Sequence, residues 1–133
     1  MLVRALYDRY DHGGDFDRSA LLADATYNFQ EFGYFGLSLW LAADPWPLGR
    51  VLNEKTRKAS RVALFRAEAL RTHGLTLVAS GREPHFDVTD GSLIAGDSRS
   101  IRVTAGSAGE LVDRFLASAY TVRNNEFFEQ DAH

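Results

Sequence analysis

Gly33-Tyr34-Phe35-Gly36-Leu37-Ser38-Leu39-Trp40-Leu41-Ala42-Ala43 is the most hydrophobic run of the chain, and its conformation decides how everything else assembles. Its aromatic and branched side chains suit a pleated, half-buried or buried surface. The length and the aromatic enrichment point to a long buried strand, while periodicity alone leaves a buried helix open. The choice sets where Ser38 and Tyr34 point. The run is about half the ~20 apolar residues that a bilayer-crossing helix needs.

On its amino-terminal side, Leu2 to Tyr7 alternates weakly and reads as a first strand with Arg4 inside it. Asp8 to Asp15 carries Gly13-Gly14 and reads as a loop. Phe16 to Asp24 reads as a short helix capped by Asp15 or Asp17, with Leu21 and Leu22 facing inward. Tyr27 to Phe32 is ambiguous.

On its carboxyl-terminal side, Asp44-Pro45 predicts a helix start, because proline at the first helical position has no N–H to leave unsatisfied. That helix carries Leu48, Val51 and Leu52 on one side and is expected to end near Ser60. Val62 to Phe65 reads as a strand, Glu68 to His73 as a short helix stopped by Gly74, and Leu75 to Ala79 as another strand. His85 to Val88 and Ile101 to Thr104 follow as strands, separated by turn-rich sequence that includes Gly96-Asp97-Ser98. Ser107 and Glu110 form a capping box that opens a helix bearing Leu111, Val112, Phe115 and Leu116. Tyr120 to Gln130 keeps Val122, Phe127 and Phe128 and docks in part, and residues 129–133 are expected to fray.

Strands and helices interleave without a βαβ rhythm. The pattern predicts an α+β domain spanning residues 1–133, with a mixed, mainly antiparallel sheet of about five to six strands and two or three packed helices. The chain has no cysteine, which excludes disulfides, thiolate nucleophiles and sulfur-ligated zinc. Arg4, Asp8 and Arg9 interrupt the amino terminus where a signal peptide needs a continuous apolar core, which points to a cytosolic protein without a membrane partner.

Phosphate-binding glycine loops, His-Glu-x-x-His and Gly-x-Ser-x-Gly are all missing. Three weaker constellations remain. Asp11, Asp15 and Asp17 lie on a glycine-bearing acidic stretch, and such carboxylates can converge on Mg²⁺ or Ca²⁺. Their spacing does not match the calcium loop with its terminal glutamate, and the bland alternative is a hydrated, helix-capping loop. His85 follows Pro84 at a strand start, with Glu83 to orient it. A histidine titrating near neutrality is the usual general acid or base. Arg4, inside an apolar strand, must reach solvent or pair with an acid or a phosphate. Between Arg50 and Arg71 seven bases face two acids, and Arg50, Lys55, Arg57 and Lys58 offer a contact for RNA or another anion.

Arg4 in a first strand, Tyr34 or Ser38 in an aromatic strand and Glu83 or His85 near a late strand together resemble small ADP-ribosyltransferase-like toxins and RNA 2′-phosphotransferases. The segment Val62 to Leu75 is similar to the strand, short helix and glycine that follow in those folds. The resemblance implies a nucleotide- or RNA-directed enzyme in which Arg4 holds an anion, His85 is the acid or base and Tyr34 stacks on a base. The glutamate-x-glutamate motif of many such transferases is missing. The other expectation is a binding protein of the antitoxin, immunity or accessory-subunit type, with a protein partner or a second copy of itself. Its basis is the aromatic density and the divided charge. No residue pattern names a cofactor.

Overall fold

Leu37–Leu41 forms a strand (β2), and it lies in the interior of a six-stranded sheet. The computed structural model describes residues 1–7, 16–94 and 102–129. The strand is shorter than the apolar run because Gly33, at φ 82°, closes the preceding helix by donating to the Phe29 carbonyl. That helix (α1) spans Arg18–Phe32, so the ambiguous Tyr27–Phe32 segment is its continuation and not a separate element. Asp17 is its N-cap and accepts from the backbone N–H of Ser19 at 2.8 Å.

The remaining elements are β1 (Leu2–Leu6), α2 (Leu48–Glu54), β3 (Arg61–Phe65), α3 (Ala67–Thr72), β4 (Thr76–Ala79), β5 (His85–Thr89), β6 (Leu93–Ile94), β7 (Arg102–Val103), α4 (Ala108–Ala117) and β8 (Tyr120–Asn124). The main sheet has the order β4-β5-β2-β1-β3-β8, and every neighbouring pair is antiparallel. β6 and β7 pair separately. The fold is therefore α+β with an antiparallel sheet, and four helices lie among the described residues. No described helix is long and apolar enough to cross a membrane.

The two faces of the sheet are covered differently, as strand alternation requires. Leu2, Leu6, Leu37, Leu39, Ala63, Phe65 and Val88 face α1, α3 and α4, which contribute Leu21, Ala25, Leu70, Leu111, Val112 and Phe115. Val3 and Val62 face the other way, onto Val51 and Leu52 of α2, with Trp40 and Trp46 beside them.

α2 departs from its expected limits at both ends. A tight turn in which Trp46 N–H donates to the Ala43 carbonyl at 2.7 Å occupies the Asp44-Pro45 position, so the helix begins after Pro47. Its other end comes early because Asn125, buried beyond β8, gathers the chain there. Its side-chain amide donates to the carbonyls of Leu52, Thr56 and Ala59 at 2.9–3.2 Å. The Leu52 carbonyl also accepts from the Thr56 hydroxyl and the Thr56 carbonyl from the Ala59 N–H, so the amide completes the satisfaction of the helix end. Ile101 and residues 130–133 lie outside the described residues.

Candidate functional site

The site begins with an incomplete ladder. β1 pairs with β3 over five residue pairs and β2 with β5 over four, but β1 and β2 pair only at Leu2↔Leu41 and Val3↔Trp40. Continuing that register would put Ala5 opposite Ser38. Instead, the Ser38 carbonyl accepts from Arg4 Nη1 at 3.0 Å. A side chain has replaced the next rung, and the two central strands separate.

The opening is a cleft of about 380 Å³. One wall is β1 and β2, through Arg4, Ala5, Tyr7, Ser38 and Trp40, and the other is α1, through Ala20, Ala23 and Asp24. Ala5, Ala20 and Ala23 are among its lining residues, and their small side chains leave room there. The volume and the mixture of apolar wall with a few convergent polar groups are those of a small-molecule site.

Arg4 shares its sheet face with Leu2 and Leu6, both wholly buried, so its charge must be paired. Asp24 on α1 supplies the partner: Arg4 Nη1 to Asp24 Oδ2 is 2.7 Å, with the two side chains 15% and 27% exposed. The Ser38 hydroxyl makes no hydrogen bond among the described residues.

A second group of polar side chains lies on the neighbouring strand, on the same face as Ser38. Ser38 is the ladder partner of Asp87, and Trp40 that of His85. Asp87 is wholly buried. Its Oδ2 accepts from the Tyr34 hydroxyl at 2.6 Å, and its Oδ1 has no hydrogen-bond partner. Tyr34 reaches it by folding back over Gly36, where an added Cβ would meet the tyrosine ring at 3.0 Å. His85 Nδ1 lies 2.9 Å from both the Ser80 hydroxyl and the Ser80 carbonyl. A carbonyl only accepts, so Nδ1 carries a hydrogen and Nε2 faces Asp87 Oδ1 at 4.0 Å. Trp40 makes an edge-on contact with the imidazole, at 4.9 Å between ring centres.

Burial, then the hydrogen bond and the negative charge of Asp87, push the Tyr34 hydroxyl well above the ordinary tyrosine range, with Ser80 opposing them. The fold therefore holds Tyr34 neutral. Stability from this arrangement is fully present below tyrosine's ordinary pKa of ~10 and is lost as pH rises toward the higher folded value. Denaturant titrations between pH 8 and 12 are expected to show a decline beginning near pH ~10 that Tyr34→Phe flattens. An equal decline in the variant would rule this origin out.

Asp87 carries a second expectation. A buried carboxylate with one oxygen unpaired costs stability. Asp87→Asn keeps an acceptor for Tyr34 and turns an N–H toward His85 Nε2, so the variant is expected to gain about 1 kcal/mol in denaturant unfolding. A loss of that size would show that the native pair is an ion pair with charged His85.

Of the residues singled out by sequence, Arg4 and Ser38 come together in the cleft. Tyr34 and His85 come together one strand away, around Asp87. Glu83 is exposed in the turn before β5 and joins neither group. The basic residues singled out for an anion have separate surroundings among the described residues. Arg50 donates to Glu54 at 2.7 Å and lies 3.7 Å over the Trp46 ring. Lys55 stands over Trp46 and Trp40 at 5.0 and 5.7 Å. Arg57 pairs with Glu129 at 2.8 Å, and Lys58 is exposed. Asp17 is occupied with capping α1, while Asp11 and Asp15 lie outside the described residues. Among the described residues no cluster of three or more metal-ligating side chains occurs.

Sequence reasoning missed Asp24, Trp40 and Asp87. The rule that marked Arg4, a charge inside an apolar strand, applies equally to Asp87 between Phe86 and Val88. No family model, curated protein or solved structure matches the chain.

Proposed function

We propose that the chain is a small cytosolic enzyme acting on a nucleotide or on RNA, with the cleft between β1 and β2 as its substrate site. The observation that carries this reading is the parting of the two central strands beside a half-open, mainly apolar space that Arg4, Asp24 and Ser38 also line. Sheets keep their ladders paired, and a rung given up to an arginine leaves a site on rigid walls. The resemblance of Arg4, Ser38 and Tyr34 to residues of ADP-ribosyltransferase-like folds supports the same reading as an analogy.

In this reading Arg4 and Ser38 touch the substrate, with Trp40 and Tyr7 beside them. Asp87 stands directly behind Ser38 as the proton acceptor. His85 and Tyr34 hold Asp87 in place, so their roles are positioning ones rather than the stacking and acid–base roles that the resemblance implies. Calorimetric titration of the full chain at low salt with NAD and with a short RNA tests it. Heat from either that Asp87→Asn preserves while turnover disappears is the expected result. No heat from both rejects the reading.

A second reading rests on a different surface. Tyr27, Phe29 and Phe32 of α1 are 58%, 40% and 59% exposed, and aromatic side chains dominate protein interfaces. An antitoxin-, immunity- or accessory-type partner would engage this face. Capture of a stoichiometric partner from native lysate, lost with Phe32→Ser and retained after RNase, is its expected result.

A further inference from the structure

We propose that the part of the ligand seated between Arg4 and Asp24 is an uncharged heteroaromatic edge, a nucleobase or an aromatic carboxamide, and not a phosphate. The inference rests on the reading of the cleft as a nucleotide site and reverses the anion-holding role expected for Arg4. Both hydrogens of Arg4 Nη1 are committed, one to Asp24 Oδ2 at 2.7 Å and one to the Ser38 carbonyl at 3.0 Å. Arg4 Nε and Nη2 and Asp24 Oδ1 make no hydrogen bond among the described residues. The pair thus offers the cleft N–H donors beside a carboxylate acceptor.

A phosphate placed on the free Arg4 nitrogens would lie against the Asp24 carboxylate, and like charges at such range repel. Taking Arg4 away from Asp24 would sacrifice a charge-assisted hydrogen bond and leave a carboxylate unpaired. Among the described residues no other charge lines the cleft to compensate: Lys55 and Arg50 are placed over the indole rings and outside its walls. A neutral edge with an acceptor next to an N–H donor meets both members at once. The 6-amino purine edge and a ring carboxamide have that pattern. Ala5, Ala20, Ala23 and Trp40 supply an apolar surface for the ring.

Competition calorimetry on the native chain separates the possibilities, with NAD as the bound ligand and adenosine, nicotinamide and inorganic pyrophosphate as competitors. Adenosine or nicotinamide is expected to displace NAD at least tenfold more effectively than pyrophosphate, and the stronger of the two identifies which end occupies the cleft. Displacement by pyrophosphate alone overturns the inference and leaves the enzyme reading intact. Failure of NAD, adenosine and nicotinamide to bind at all overturns the inference, and the enzyme reading falls with it only if short RNA gives no heat either. Asp24→Asn, checked for an unchanged melting curve, is expected to weaken the neutral competitor at least fivefold and to strengthen pyrophosphate. An unchanged preference in that variant contradicts the inference. Should the variant fail to fold, the competitor ranking on the native chain decides alone.

Discussion

Phe65→Ala is expected to cost about 3–5 kcal/mol of stability, the largest effect of any single truncation in the chain. Phe65 is wholly buried at the middle of the larger core. Its ring packs against Phe115 at 4.6 Å, Tyr120 at 5.3 Å and Phe16 at 6.0 Å between centres. These partners come from α4, β8 and the segment before α1, so no one element can move in to fill the void. The cost combines lost transfer energy with the cavity left behind. Urea unfolding read by far-ultraviolet circular dichroism measures it. A loss below about 1 kcal/mol would mean that the aromatic cluster collapses onto the vacancy and that the core is not the rigid support the cleft needs.

Arg4→Ala is expected to weaken ligand binding at least ~100-fold, or about 2.7 kcal/mol. Arg4 touches β2 through Ser38 and α1 through Asp24, so it joins three elements at the mouth of the cleft. The substitution strands Asp24 without its partner and frees the Ser38 carbonyl, which changes both the shape and the charge of the site. Arg4→Lys separates the two contributions. A lysine restores the charge beside Asp24 without the planar fork, and is expected to recover only part of the affinity. Arg50→Ala serves as the control, since Arg50 is engaged with Glu54 and Trp46 and is expected to leave binding unchanged. Equal losses in the Arg4 and Arg50 variants would place the ligand elsewhere.

The fold was largely legible because its signals are local. Weak alternation marked β1, short apolar runs between turn residues marked β3, β4 and β5, Ser107 with Glu110 marked the start of α4, and Asp17 was among the two caps weighed for α1. The errors fell where distant residues decide local structure. α2 stops at Glu54 through Asn125, roughly seventy residues away in sequence, a contact that no local pattern announces. α1 runs through Tyr27–Phe32 because Asn28 is buried there, donating to the Gly36 carbonyl at 2.6 Å.

The site was legible in half. Arg4 was marked as a charge inside an apolar strand and Ser38 only through the resemblance, and their meeting depends on a ladder that stops after two rungs. Asp24 was hidden among ordinary helix acids, since only its position over β1 distinguishes it. Tyr34 and His85 were singled out separately, and Asp87, which lies beside both, was not singled out at all.

The most direct test of the cleft as the ligand site is a two-dimensional ¹H–¹⁵N correlation titration of the full chain with NAD. Shifts concentrated on the amides of Arg4 to Tyr7, Ala20 to Asp24 and Ser38 to Trp40, with the Trp40 indole among them, are the predicted result. Saturable shifts confined to Tyr27–Phe32 or to Lys55–Lys58, or no shifts at all, would contradict it.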